Sequence, residues 1–238
     1  MKFTKEHIKK IFANPAFRLR FFFSHTFHPL PDEVMMKEAF EFASHSNVGG
    51  DYLEFGVWKG RSFMRAFHTW KYILLNNKNL SDLHFYAFDS FEGLPDITSK
   101  EDIATGEFKK GEYACSEDDF IANLKQSGVD ITRVRTIKGW YDKVLNDKTK
   151  STLPIKKAAI VYIDADLYES AVSVLDFITS YIVDGTVIIF DDWYCFRGRS
   201  DMGEQKAFHE WLAKNPSINA MQYKSFNWKG NSFILHKK

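Results

Sequence analysis

Two unbroken apolar stretches in this chain each end in a cluster of carboxylates. The run AAIVYI, residues 158–163, leads into Asp164-Ala165-Asp166, and TVIIF, residues 186–190, leads into Asp191-Asp192. A strand with one wet face alternates apolar and polar residues. These two do not alternate, so both faces must be covered, as in a parallel sheet clad by helices. Ligands of open α/β sheets sit beyond the carboxyl ends of the strands. The pattern therefore aims several carboxylates at one crevice. Two like charges about 4 Å apart repel by roughly 1 kcal/mol in water, and by roughly 4 kcal/mol at a near-surface effective dielectric. Such a cluster wants a cation or shared protons.

The rest of the chain supplies the partners such a sheet needs. Further strand patterns lie at 51–57 (DYLEFGV), 84–90 (HFYAFDS) and 132–137 (TRVRTI). Helical patterns fall between them. Asp32 is placed to cap a helix to about His45. A second helix starts near Arg61, with Phe63, Phe67, Trp70 and Leu74 on one face. Ser116 with Asp119 forms a capping-box pattern, opening a helix that closes at Gly128. Further helices are expected from about Tyr168 to Ile182, before Asp184-Gly185, and from about Glu204 to Lys214. Residues 92–115 read as irregular. Two closing strands, near 219–225 and 232–236, flank a hairpin turn at 227–230. Strands alternating with helices predict one doubly wound, Rossmann-like α/β domain with a seven-stranded, mostly parallel sheet and an antiparallel C-terminal hairpin.

Composition narrows the function. With 23 Phe among 238 residues, aromatic packing should dominate the core. The formal net charge of +1 gives no field for nucleic acid. No apolar stretch is long enough to span a bilayer. Cys115 and Cys195 lack CxxC neighbours and read as free thiols of a reducing compartment, so a cytoplasmic location is expected. The N-terminus, MKFTKEHIKKIFANPAFRLRFFFSH, reads as a basic amphipathic arm rather than a signal peptide. It would pack on the body or on a partner subunit, with a membrane-surface role as the weaker reading. The expected division is a helical arm or lid over 1–46 and the catalytic domain over 47–238. A homo-oligomer is compatible with such an arm.

The first strand ends in Glu54-Phe55-Gly56-Val57-Trp58-Lys59-Gly60. Glycines in a strand-to-helix turn let a ligand approach the backbone closely, although a tight turn with no ligand reads the same way. Only Gly56 and Gly60 are present, so the GxGxxG fingerprint is absent, which argues against NAD and FAD. Asp89 ends the second strand, where an acid commonly takes ribose hydroxyls or simply caps a loop.

Taken in order, Glu54-Phe55-Gly56-Val57-Trp58-Lys59-Gly60, Phe88-Asp89-Ser90-Phe91-Glu92-Gly93-Leu94-Pro95, Asp164-Ala165-Asp166-Leu167-Tyr168-Glu169-Ser170 and Asp191-Asp192 resemble the TylF-like (macrocin) O-methyltransferase family. The likeness runs from about Gly50 to His236. It implies a class I enzyme that moves the methyl of S-adenosylmethionine to a hydroxyl of a small-molecule acceptor, in many members a sugar hydroxyl on a natural product. By the same resemblance, Glu54, Gly56 and Ser62 border the methionine part of the cofactor, with Trp58 in the same turn. Asp89 holds the ribose hydroxyls, with Ser90 and Phe91 beside it, and Gly139 and Trp140 flank the adenine. Asp164, which also borders the cofactor, binds magnesium with Asp191 and Asp192. Oxygen-only ligands suit that hard cation. Apart from the resemblance, a carboxylate has to remove the hydroxyl proton, and Asp164, doubling as a ligand, is read as that base.

Asp166, with Glu169 three positions on, is expected to cap the next helix. Tyr168 either reaches the site or packs on the sheet. Trp193, Tyr194 and Arg197 either wall the acceptor or pack in their own loop, and His209 reads as surface or packing. Two other functions compete. Asp164-Ala165-Asp166 also looks like the metal-binding DxD of nucleotide-sugar glycosyltransferases, and a non-catalytic cofactor-binding scaffold could keep the same fold.

Overall fold

The computed structural model describes residues 31–97, 100–103 and 108–237. Its centre is one seven-stranded sheet. Strands β1 (Asp51–Phe55), β2 (Phe85–Asp89), β3 (Val134–Lys138), β4 (Ala158–Ile163) and β5 (Ile182–Phe190) pair in parallel, and β6 (Ile218–Phe226) and β7 (Gly230–Lys237) close it. The order is β3-β2-β1-β4-β5-β7-β6, with β7 antiparallel to both its neighbours. The order reverses between β1 and β4, which begins the crevice where doubly wound folds bind their ligands. The hairpin β6–β7 wraps the far edge and brings its turn back towards the end of β5.

All six residues of β4 are buried. Ile160 and Tyr162 join one layer of the core, while Val161 and Ile163 join the other. That division explains the unbroken apolar sequence, since both faces carry helices. One layer holds α1 (Pro31–His45), α2 (Arg61–Ile73) and α4 (Glu117–Gln126), with Phe40, Tyr52, Phe63 and Phe85 in mutual ring contact at 5.3–6.5 Å. The other layer holds α7 (Tyr168–Ile178) and α8 (Gly203–Lys214), where Phe55 stacks on Phe88 at 4.4 Å and Phe190 meets Phe208 at 5.0 Å. Short helices α3 (Lys100–Ile103), α5 (Tyr141–Val144) and α6 (Asp147–Thr152) fill the connections.

Helix α1 is part of the body. Met35, Met36, Ala39, Phe40 and Ala43 are buried in the main core. Asp32 lies inside its first turn rather than capping it, and pairs with Arg65 and Arg61 of α2. The N-terminal arm, residues 1–30, lies outside the described residues. At α4 the capping box forms as expected, with the Asp119 amide donating to Ser116 Oγ at 3.1 Å. The helix before β5 continues past its α-helical part, which ends at Ile178, as a 3-10 turn, Thr179–Tyr181, so the helical segment ends where its sequence pattern does. Asp184-Gly185 falls inside β5, where the register with β4 shifts. Gly185 takes a left-handed φ of 89° there. No helix among the described residues is long and apolar enough to cross a membrane.

Candidate active site

Beyond the carboxyl ends of the parallel strands the backbone ladder continues for one more residue each. The Gly56 amide donates to the Phe88 carbonyl at 2.9 Å, Gly139 to Asp89 at 2.9 Å, Asp164 to Phe55 at 2.8 Å and Asp191 to Ile163 at 2.9 Å. Four residues singled out from sequence thus stand in one row. They floor a cavity of about 1290 Å³. Ligand pockets commonly run from about 300 to 1,000 Å³, so this one has room for two molecules side by side.

At one end lies the turn after β1. Gly56 has φ 86°, and a Cβ there would collide with the Asp164 carbonyl oxygen. Only glycine lets the ends of β1 and β4 come this close. The turn is fixed by Asp89. Its Oδ2 accepts from the amides of Val57 at 2.8 Å and Trp58 at 3.1 Å, and its Oδ1 accepts from Phe91 at 2.7 Å. A carboxylate offers about four lone-pair sites. Asp89 therefore shapes the turn first, and presents its remaining acceptor capacity to the cavity. Gly139, with φ 141°, packs against the Val144 side chain where a Cβ would clash. Gly56, Trp58, Ser62, Asp89, Ser90, Gly139 and Trp140 all line the cavity.

Two residues of the expected cofactor set do not. Glu54 is fully buried beneath the turn, accepting from Tyr52 Oη and Ser62 Oγ, both at 2.5 Å. Burial pushes its carboxyl up to about 8; Ser62 and Tyr52 pull it down, and Asp191 and Asp89 add repulsion. Glu54 thus acts through Ser62, which does reach the cavity. Phe91 is buried against Phe120 at 5.6 Å and carries the loop rather than facing a ligand.

At the other end lie the acids. Asp164, Asp166 and Asp192 bring one carboxylate oxygen each within 4.8 Å of one another. Asp191 is turned aside. Its Oδ1 accepts from Tyr162 Oη at 2.8 Å, and its Oδ2 is 2.7 Å from Lys229 Nζ. Lys229 also donates to Asp192 Oδ1 at 2.6 Å. Asp192 Oδ2 and the neighbouring Glu204 Oε1 are buried with no donor among the described residues, save the Asp166 carboxyl, which bonds to Asp192 when it carries a proton. Burial raises the Asp164 carboxyl well above the ordinary range, and Asp191, Asp192 and Asp166 reinforce it. Burial and Asp192 do the same to Asp166. For Lys229 burial alone would favour the neutral form, but Asp192, Asp191 and Asp164 outweigh it and keep it charged.

Asp166 does not cap α7. It sits at φ 58° with its carboxylate in the acid cluster, and the cap position is Leu167, with no side-chain bond. The α7 amide of Tyr168 is taken instead by Asp102 Oδ1 of α3 at 2.9 Å. The helix starts one residue later than the spacing suggested, so Asp166 lies ahead of the cap and its carboxylate turns to the cluster. Tyr168 packs against the core layer beside the sheet rather than lining the cavity, and donates to Glu210 at 2.6 Å. Trp193 is buried against Phe190, Phe208 and Phe233, and neither it, Tyr194 nor Arg197 lines the cavity. His209 is exposed, with its ring edge-on to Trp193. The aromatic mouth is built by others: Trp58, Tyr113 and Trp228 are 41%, 48% and 76% exposed, and Trp58 meets Tyr113 edge-on at 5.6 Å. Lys229 and Trp228 escaped the sequence reading because a hairpin turn explained FNWKG without a site. The signal available was a lysine and a tryptophan in a turn returning to the end of β5.

The residues fit the groups implied by the fold. Gly56 and Gly139, each tightly packed against its own chain, hold the strand ends so that both line the cavity a cofactor would enter. The all-oxygen set of Asp164, Asp166 and Asp192, crowded within 4.8 Å, suits a hard divalent cation.

Comparison with known proteins bears on the family and the fold. The chain is 29% identical over 166 residues to a demethyldecarbamoylnovobiocin O-methyltransferase of Streptomyces niveus, covering 66% of this chain and 58% of that one. It is 27% identical over 168 residues to a mycinamicin III 3''-O-methyltransferase of Micromonospora griseorubida, covering 67% and 61%. These matches span less than two thirds of the relatives' own length. Among solved structures, the O-methyltransferase NovP superposes with a TM-score of 0.70 at 22% identity, over 87% of this chain and 79% of that one. A calicheamicin methyltransferase, CalS11, superposes at 0.67 with 18% identity, over 98% and 94%. At these identities the structures speak for the fold, and they do not favour the glycosyltransferase alternative. The macrocin-O-methyltransferase (TylF) family profile matches residues 33–222, most of the chain, so the protein belongs to that family.

Proposed function

We propose that this protein is an S-adenosylmethionine-dependent O-methyltransferase acting on a sugar hydroxyl of a glycosylated small molecule. The observation that carries the reading is the single cavity, with a glycine turn and Asp89 at one end and a buried acid cluster at the other. The relatives that match in sequence include enzymes named for methylating a novobiocin precursor and mycinamicin III, which supports the acceptor class. The cofactor would lie along Gly56, Trp58, Ser62 and Asp89 towards Gly139 and Trp140. The acceptor would enter between the exposed Trp58, Tyr113 and Trp228.

In the transfer, the S–CH3 bond of the sulfonium breaks and an O–CH3 bond forms. The hydroxyl proton passes to a carboxylate, leaving S-adenosylhomocysteine. Holding the two reactants in line can contribute roughly 7–11 kcal/mol. Asp164 is our assignment for the base. Burial and the neighbouring acids raise its carboxyl, which favours proton uptake, while a divalent ion on the same oxygens would pull it back down. Asp164, Asp166 and Asp192 would hold a divalent cation such as magnesium, while Asp191 stays with Tyr162 and Lys229. Bound there, such an ion would supply an electrophile that acidifies the acceptor hydroxyl. A cytoplasmic location is part of this reading, in keeping with the free thiols of Cys115 and Cys195.

The test is mass spectrometry of a reaction with trideuteromethyl-labelled cofactor, using glycosylated acceptors beside their aglycones. A gain of about 17 Da, confined to the glycosides and lost on removal of the sugar, is expected. A gain on aglycones or phenols alone would refute the sugar assignment.

A further inference from the structure

We propose that Lys229 is a built-in cation of the acid cluster. Its ammonium takes the place between Asp191 and Asp192, and so confines any divalent ion to Asp164, Asp166 and the other oxygen of Asp192, at reduced affinity. The inference rests on the reading of this cavity as a methyltransferase site, and concerns how that site handles positive charge.

Lys229 arrives from outside the parallel sheet, on the turn between β6 and β7. That turn is pinned on both sides. Asn227, at φ 47°, accepts from the amides of Lys229 at 2.7 Å and Gly230 at 2.8 Å through its side-chain oxygen. The Lys229 carbonyl accepts from the Tyr194 amide at 2.8 Å, tying the turn to the segment just after Asp191-Asp192. The ammonium then lies 2.7 Å from Asp191 Oδ2 and 2.6 Å from Asp192 Oδ1. An ion shared by these two carboxylates would have to displace it. The opposite side of Asp192 is different. That residue is 2% exposed, and its Oδ2 faces no donor among the described residues other than the carboxyl of Asp166. It belongs to the trio with Asp164 and Asp166. The cluster thus has one side neutralised by the chain itself and one side left open. A divalent ion in the open side must sit a few ångströms from a fixed positive charge, which weakens its binding. Magnesium and manganese, which bind carboxylate oxygens, feel this equally.

The experiment is a manganese titration followed by electron paramagnetic resonance on the wild type, Lys229→Gln and Lys229→Arg. Folding is checked by thermal melting. Lys229→Gln is expected to tighten manganese binding by about tenfold or more, and Lys229→Arg to stay within about threefold of the wild type. An unchanged or weakened affinity in Lys229→Gln overturns the proposal. Should that variant not fold, nitrogen NMR of lysine ammonium groups in the wild type decides. A slowly exchanging Lys229 signal, assigned by its loss in Lys229→Arg, should persist at saturating magnesium, and its disappearance on adding magnesium overturns the proposal. Calorimetry with S-adenosylhomocysteine on the same wild-type sample reads the methyltransferase assignment separately. No heat there would sink that assignment and leave the manganese comparison intact.

Discussion

Three carboxyl groups around this cavity differ in task because their neighbours differ. Asp89 spends most of its acceptor capacity on the amides of Val57, Trp58 and Phe91, so it is a brace for the cofactor turn as well as a ligand. Asp164 has no such amides and is crowded by like charges, which suits a base. Asp164→Asn should lower turnover by about 10²–10⁴-fold while S-adenosylhomocysteine binding, read by calorimetry, changes by less than about threefold. Normal turnover in that variant would remove Asp164 from the chemistry. Glu54 makes a prediction about stability. Its folded carboxyl titrates near 8, against about 4.3 in an unfolded chain. The folded state therefore keeps a proton that the unfolded state gives up between those values. The contribution is fully present below about pH 4 and is lost as pH rises to about 8. Denaturant titrations should show Glu54→Gln losing less stability than the wild type between pH 5 and 8, by a few kcal/mol at about 1.4 per pH unit. Equal losses in the two proteins would mean that Glu54 is not held neutral.

At the scale of elements, strands were more legible than the turns at their ends. The two apolar runs identified β4 and the second half of β5 because burial on both faces leaves a simple signature. The carboxylates beyond those strands did not read as cleanly. An acid after a strand and before a helix looks alike whether it caps the helix or faces a ligand. Only the left-handed backbone at Asp166, and the arrival of Asp102 from α3 to take the Tyr168 amide, separate the two. Lys229 was hidden for a related reason. Its partners lie 37 and 38 residues earlier in the chain, and no local spacing records that meeting. The glycine turn was legible as a turn, and its necessity comes from the close approach of β1 to β4. Gly56→Ala would force a Cβ into the Asp164 carbonyl at a φ of 86°, and should cost about 3 kcal/mol or more of unfolding free energy. A loss under about 0.5 kcal/mol, within the usual range for a neutral surface change, would mean that the strand ends can part without cost.

For the molecule as a whole, the sheet order and the antiparallel edge place cofactor pocket and acid cluster on either side of the β1–β4 crossover, within one cavity. The strand and turn patterns yield the fold, the resemblance of the quoted motifs yields the enzyme class, and the identity of the acceptor is left to the aromatic mouth, whose members come from three separate loops. The central question is which nucleotide the cavity prefers. Calorimetry of the wild type against S-adenosylhomocysteine and against UDP-sugars, each with and without magnesium, asks this directly. Saturable one-to-one binding of S-adenosylhomocysteine, with no heat from UDP-sugars, is the predicted result. Binding of UDP-sugars in preference to the adenosyl ligand would contradict it.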